Sequence, residues 1–193
     1  MDKVIQGASA IKNYLQPETE LERAFLSDPD FMEGLMWGTP RFGHPEGKVV
    51  YHIREVLDNV EKLSISAKDR ERLRLITFAH DTFKYQEHKG SPRDWNRHHA
   101  ILARHFLEKR CEDPAVLTIT ELHDEAYYCW RLSQIYSQPT QSNHRLDKLV
   151  ERLGDFVQLY YLFFKCDTCT GDKNLASLYW VEQHLPGITI VEL

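Results

Sequence analysis

Along most of the chain, hydrophobic residues return every third or fourth position, and strict alternation is almost absent. That period lines them up on one side of a helix, so the pattern predicts helices nearly throughout. Residues up to about 28 read as one or two short amphipathic helices. Residues 31–47 hold Gly34, Gly38, Pro40, Gly43, Pro45 and Gly47, and are expected to form a loop. A helix is predicted over about 48–63 on Val49, Ile53, Val56 and Val60. Ser66 is placed to cap the next, over about 67–85, with Leu73, Ile76 and Phe83 turned inward. Ser91-Pro92-Arg93-Asp94 has the order of a helix start: a capping serine, a proline in the first turn, an acid behind it. It predicts a helix to about 110. Asp113-Pro114 repeats the signal and predicts one to about 136. After a loop at 138–143, the longest helix is expected over about 144–165. Its stripe is Leu146, Leu149, Leu153, Phe156, Tyr160 and Phe164. A last helix is read over about 173–184, and residues 187–191 suggest a short terminal strand. No internal repeat or linker is read, so the expectation is an all-α bundle forming a single domain over 1–193.

Composition narrows the class. A chain of 193 residues with 42% hydrophobic and 27% charged residues suits one globular domain and excludes disordered or collagen-like chains. No apolar run approaches the roughly 18 residues of a membrane span, and the opening MDKVIQGASA has no secretory core. The expectation is a cytoplasmic protein with no membrane partner. Lys+Arg 24 against Asp+Glu 29 gives a net charge of −5, which argues against nucleic acid as a partner. Cys111, Cys129, Cys166 and Cys169 are too few for a disulfide scaffold and are expected to be reduced. Cys166 and Cys169 lack a second pair at zinc-finger spacing and are read as small buried side chains.

The 10 histidines change the picture, because several occupy positions where the helical pattern calls for a hydrophobe. His52 sits between Val49 and Val56. His80 continues Leu73 and Ile76. His99 lies between Trp95 and Leu102, and is preferred to its neighbour His98 for that reason. His123 continues Ile119. Asp81 projects beside His80, and Asp167 follows Tyr160 and Phe164 at the end of its helix. A single inward histidine is ordinarily a core residue with one hydrogen-bonded nitrogen. Four of them with two aspartates would be expensive to bury without a shared partner. A cation bound by neutral imidazoles and ionised carboxylates removes that cost for all of them together.

The order His52, His80-Asp81, Asp167 resembles the HD superfamily of metal-dependent phosphohydrolases. The flanks are similar too. Leu75-Ile76-Thr77-Phe78-Ala79 precedes the doublet, and Lys84 follows it at the family's spacing. Gly43-His44-Pro45-Glu46-Gly47 resembles the lead-in to the family's first metal helix, and Asp167 with Gly171 its closing element. The match runs over about 44–171, leaving 1–43 as N-terminal helices and loop, and 172–193 as a C-terminal helix and tail. His123-Asp124 is read as a second doublet arising by chance, and Asp172 as a fallback for Asp167.

The resemblance implies an HD-type helical bundle in which His52, His80, Asp81 and Asp167 hold one divalent metal. It implies that His99 and His123 hold a second in the dinuclear subgroup, with Asp81 shared between them. The ligand types suit Mn, Fe, Co, Ni, Zn or Mg. The implied activity is hydrolysis of a small phosphorylated substrate, a nucleotide or other phosphoester, by a metal-activated hydroxide. Asp81 and Lys84 would be catalytic, with Lys84 as a phosphate clamp. Lys84, Lys89, Arg93 and Arg97 would meet the anionic substrate, His44 could supply an acid or base, and Trp95 or Tyr85 could stack a base. Two alternatives stand beside it: a diiron HD-type oxygenase, which the same ligand set would suit, and a non-catalytic HD domain that binds a nucleotide or a protein, against which the intact ligand set argues.

Overall fold

The computed structural model describes residues 7–193. Eleven α-helices follow one another in the described chain: α1 (Ala8–Leu15), α2 (Glu20–Phe25), α3 (Pro29–Leu35), α4 (Val49–Val60), α5 (Ala67–Ala79), α6 (His99–Leu107), α7 (Pro114–Leu122), α8 (Glu125–Trp130), α9 (Pro139–Leu153), α10 (Val157–Thr168) and α11 (Ala176–His184). The described residues contain no β-strand, and 187–191 does not form one; Arg41 and His44 make an isolated antiparallel bridge. The all-α expectation stands. No described helix is long and apolar enough to cross a membrane.

Local chemistry sets where the helices begin. In α2, Thr19 accepts the amide of Glu22 while the Glu22 carboxylate reaches back, so both end groups are satisfied. Asp28 accepts the amide of Phe31 and Pro29 fills the first turn, so the segment expected to be loop from residue 31 opens instead as α3. Ser66 caps α5 as expected. Asp113 caps α7 with Pro114 behind it.

Four expected helices are shorter or divided, and each break has a cause. Helix α5 stops at Ala79, where the His80 ring and the Thr82 hydroxyl take the carbonyls of Thr77 and Phe78 at 2.9 and 2.7 Å. The expected start at Ser91 does not hold. Asp94 caps only a 3-10 turn at Trp95–Arg97, and α6 begins at His99 with His98 as its N-cap. The expected helix from 114 to 136 divides at His123-Asp124 into α7 and α8, followed by a π turn at Arg131–Ile135. The longest expected helix begins earlier, at Pro139, and divides at Gly154, whose φ of +49° ends α9 before α10 begins.

Helix α10 is the post around which the site is built. It packs on α4 and α5 and also meets α9 and α11. Asn59 of α4 donates to the carbonyls of Cys166 and Cys169, both at 2.9 Å, which fixes the end of α10 where Asp167 projects. The Tyr160 hydroxyl donates to the Leu122 carbonyl at 3.2 Å and accepts the Ala126 amide at 3.0 Å, which fixes the break between α7 and α8. Gly34 of α3 lies so close to the turn after His80 that an added Cβ would stand 1.8 Å from the Thr82 carbonyl oxygen. At the far side, buried Arg74 of α5 makes a two-pronged ion pair to buried Glu22 of α2 at 2.8 and 3.0 Å. Cys129 and Cys166 are buried thiols among apolar neighbours, and burial pushes each up to about 12.

Candidate metal centre

The inward histidines do converge. His52 Nε2 from α4 lies 3.3 Å from His80 Nε2 at the end of α5. Asp167 Oδ1 from α10 lies 2.9 Å from His52 Nε2 and 3.8 Å from His80 Nε2. Asp81 Oδ2 stands 3.7 and 3.6 Å from the same two nitrogens. A second group sits beside this one. His99 Nε2 at the start of α6 lies 3.2 Å from His123 Nε2 at the end of α7. The other Asp81 oxygen, Oδ1, is 3.5 and 3.6 Å from them. Asp81 thus presents one oxygen to each imidazole pair. Metal–ligand bonds of roughly 2.0–2.2 Å separate neighbouring ligand atoms by about 3.0–3.5 Å, close to the spacings found here.

Tautomers decide whether a cation fits. A backbone carbonyl only accepts, so the contact from His80 Nδ1 to the Thr77 carbonyl at 2.9 Å places the proton on Nδ1. His123 Nδ1 donates to the Thr120 carbonyl at 2.8 Å in the same way. His99 Nδ1 faces Glu87 Oε2 at 3.2 Å. His52 Nδ1 faces Thr170 Oγ1 at 3.4 Å and Glu46 Oε1 at 3.7 Å. Each ring is held by its outer nitrogen and turns the lone pair of Nε2 inward, as metal-binding imidazoles do. Two such lone pairs 3.2–3.3 Å apart, with carboxylates beside them, repel unless a positive charge lies among them.

The electrostatics agree. Burial pushes the His80 imidazole down to about 3, so it is neutral at ordinary pH. Burial alone would raise Asp81 and Asp167, but Lys84 and the imidazoles hold Asp81 well below the usual carboxylate range, and Lys173 and His52 do the same for Asp167. Burial would also lower His123, yet Asp124 and Asp81 carry it up to about 9. The second group therefore draws a proton onto itself, in a place where a cation would compete for the same negative charge.

Both groups face a cavity of about 550 Å³, within the range of small-molecule sites. Asp81, His123, Asp124 and Asp167 line it, along with the cations Arg41, Lys84 and Lys173. Lys84 Nζ donates to Asp81 Oδ2 at 2.5 Å, and Lys173 Nζ to Asp167 Oδ1 at 3.1 Å. His44, the exposed Phe42, Tyr127, Trp130 and Phe164 also line it. His44 Nδ1 pairs with Glu46 Oε1 at 2.9 Å.

Several expected residues lie elsewhere. Lys89, Arg93 and Arg97 are not among the cavity's lining residues. Lys89 lies over the Trp37 ring at 5.2 Å, Arg93 pairs with Glu87 and covers Trp95, and Arg97 is exposed. The loop after the doublet turns its acid, Glu87, toward His99, and this spends Arg93 on charge neutralisation; burial would raise Glu87, but His99 and Arg93 hold it down to about 2. Trp95 is 53% exposed and off the α6 stripe. Asp172 accepts the amide of Gly43 at 2.8 Å and leaves the centre to Asp167. His98 lies beside the centre, its ring 4.3 Å from that of His99.

Sequence reasoning missed Asp124, Glu87, Arg41 and Lys173. Asp124 Oδ2 is 3.3 Å from His99 Nε2, and Oδ1 is 3.8 Å from His123 Nε2. A signal for it is present: Ile76-Thr77-x-x-His80-Asp81 recurs as Ile119-Thr120-x-x-His123-Asp124. The second doublet sits at a helix end, as the first does. The other three carry no local pattern, because loops bring them in.

Comparison with curated proteins and with solved structures returned no match. A scan against protein families returned a match to the HD domain over residues 49–136, from the start of α4 to the end of the π turn. That span holds His52, His80, Asp81, His99 and His123, while Asp167 comes from beyond it. With its helical bundle and a buried His-Asp cluster able to hold metal, the chain carries an HD domain over residues 49–136.

Proposed function

We propose that this protein is a metal-dependent phosphohydrolase acting on a small phosphorylated compound, a nucleotide or another phosphoester. The observation that carries the reading is the pairing of inward-facing Nε2 atoms on either side of Asp81. In this reading His52, His80, Asp81 and Asp167 hold one divalent ion, and His99, His123 and Asp81 a second. Bound there, the metal supplies Lewis acidity and an activated water at neutral pH.

The chain's own groups then have distinct tasks. Lys84 keeps its proton, since Asp81 and Asp124 outweigh the effect of burial, and it directs a positive charge at the cavity. There it binds nonbridging phosphate oxygens and offsets the charge that grows on them. Arg41 and Lys173 extend the cationic wall and orient the phosphate. His44, backed by the Glu46 carboxylate, is placed to protonate the leaving oxygen. The apolar wall of Tyr127, Trp130 and Phe164 takes the remainder of the substrate. One buried cluster runs from Ile11 to Leu185, which supports treating the chain as one domain.

The test is phosphate release from a panel of nucleotides and phosphoesters by protein stripped with EDTA and reloaded with Mn. Release that disappears with EDTA and returns with metal is the expected result. Metal-loaded protein that releases no phosphate across the panel would overturn the proposal, and substrate-dependent oxygen uptake by the iron form would point to an oxygenase instead.

A further inference from the structure

The two His-Asp doublets are built alike. Helices α5 and α7 pack on each other, and each ends in the pattern Ile-Thr-x-x-His-Asp. In both, the isoleucine and threonine are fully buried and the histidine is the residue that closes the helix. In both, histidine Nδ1 donates to the threonine carbonyl three residues back, at 2.9 and 2.8 Å. The two rings lie 5.2 Å apart, and Phe163 of α10 packs against both. The likeness extends to the acids. Asp167 Oδ1 stands 2.9 and 3.8 Å from the first pair of Nε2 atoms, while Asp124 meets the second pair with a different oxygen for each, Oδ2 at 3.3 Å from His99 and Oδ1 at 3.8 Å from His123.

Besides the second imidazole pair, Asp124 faces Lys84, whose charge it helps to hold, and His98, whose Nε2 is 3.7 Å away. His98 Nδ1 accepts the Ala100 amide, so its proton sits on Nε2, and that proton goes to the Tyr128 hydroxyl at 3.0 Å. His99 and His123, held by their outer nitrogens on Glu87 and Thr120, turn their Nε2 atoms toward Asp124. A carboxylate that meets two inward Nε2 atoms, and is only 29% exposed, would be stabilised by a cation lying among the three.

We infer that Asp124 is a ligand of the second metal ion, so that each ion is held by two imidazoles and two carboxylates, with Asp81 shared and Asp167 and Asp124 private to one ion each. The assignment rests on the two-ion reading proposed above. It gives the two sites the same donor set. It also leaves the second ion one open position fewer than a three-ligand site would have.

The test is metal content, read by elemental analysis after equilibration with Mn, and the electron paramagnetic resonance of the bound Mn. Wild type is expected to take up about two equivalents and to show a spin-coupled pair. Asp124→Asn and Asp167→Asn should each fall to about one equivalent and show the spectrum of an isolated ion. Asp172→Asn, altered outside the centre, should keep the wild-type loading. Circular dichroism and thermal melting in EDTA verify that each variant is folded, and Asp124→Glu, which restores a carboxylate, should recover part of the second ion. If wild type and Asp124→Asn both hold two ions with the same midpoint, Asp124 is no ligand although the two-ion reading survives. If wild type holds one ion or none, the two-ion reading fails and the assignment with it.

Discussion

Replacing Gly34 with alanine tests how the fold positions Asp81. The added methyl would lie 1.8 Å from the Thr82 carbonyl oxygen and 2.8 Å from its carbon. Ordinary contact needs more than 3 Å, and the obstacle is backbone, so the turn after His80 must move by about 1 Å. Overpacking of this kind costs about 1–3 kcal/mol, of which the better helix propensity of alanine returns up to about 1. For a chain of this size, at about 2–4 °C per kcal/mol, the melting temperature should drop by up to roughly 12 °C. The larger effect falls on metal binding. Thr82 is bonded to Asp81, and metal sites tolerate only about 0.2 Å of error in ligand distance, so affinity should weaken by about 10–100-fold. Gly154→Ala is the matched control. Its φ of +49° makes alanine strained there too, but nothing stands within 4 Å of the new methyl. It should lower the melting temperature by a similar amount and leave metal affinity unchanged. Isothermal titration with Mn, alongside thermal melts of the stripped proteins, separates the two effects. Equal metal affinity in wild type and Gly34→Ala would refute the reasoning that α3 sets the position of the doublet.

Asp81→Ala removes the carboxylate whose two oxygens face the two imidazole pairs, so metal content should fall to near zero and turnover with it; retention of one tight equivalent would contradict the shared role. Lys84→Ala should reduce kcat/KM for phosphate release by about 10²-fold while metal content stays near wild type; loss of metal in this variant would show that the lysine supports Asp81 and not the substrate. For the stripped protein, His123 gives a pH dependence of definite sign. Its raised value, about 9, means the folded state binds a proton that the unfolded state gives up near 6.5. Its contribution is fully present below pH 6.5 and is lost as pH rises toward 9, so stability in urea should decline across that window. His80 acts in the opposite sense: its lowered value, about 3, means stability is lost as pH falls from 6.5 toward 3. Adding Mn at pH 7.5 should release protons and abolish the alkaline decline, and a decline unchanged by metal would place the metal elsewhere.

The helices and the residues on their inner faces were legible because one periodicity reports both. His52, His80, His99 and His123 each interrupt an apolar stripe, and a polar group on such a stripe must be buried with a partner. The breaks were not legible, because they depend on side chains that take carbonyls from the helix, as His80 and Thr82 do at the end of α5. Hydrophobic spacing continues across such a break unaltered. The start of α6 was misplaced for a related reason: Ser91-Pro92 has the residues of a cap, but the chain from Lys84 to His98 is occupied in carrying Glu87 back to His99. The basic residues of that loop therefore turned out to serve Glu87 and nearby aromatic rings, while the cavity takes its cations from Arg41 and Lys173, distant in sequence. Asp124 was legible in principle, through the repeated Ile-Thr-x-x-His-Asp, but only by comparing two segments more than 40 residues apart.

The decisive measurement is the metal content of the purified protein after stripping and reconstitution, taken together with its melting temperature in both states. Four imidazoles aimed at one another around Asp81 should take up about two divalent ions and gain at least several degrees of thermal stability. Less than one equivalent bound, with a melting point that does not move, would mean that these side chains coexist without a cation, and the proposed chemistry would have no basis.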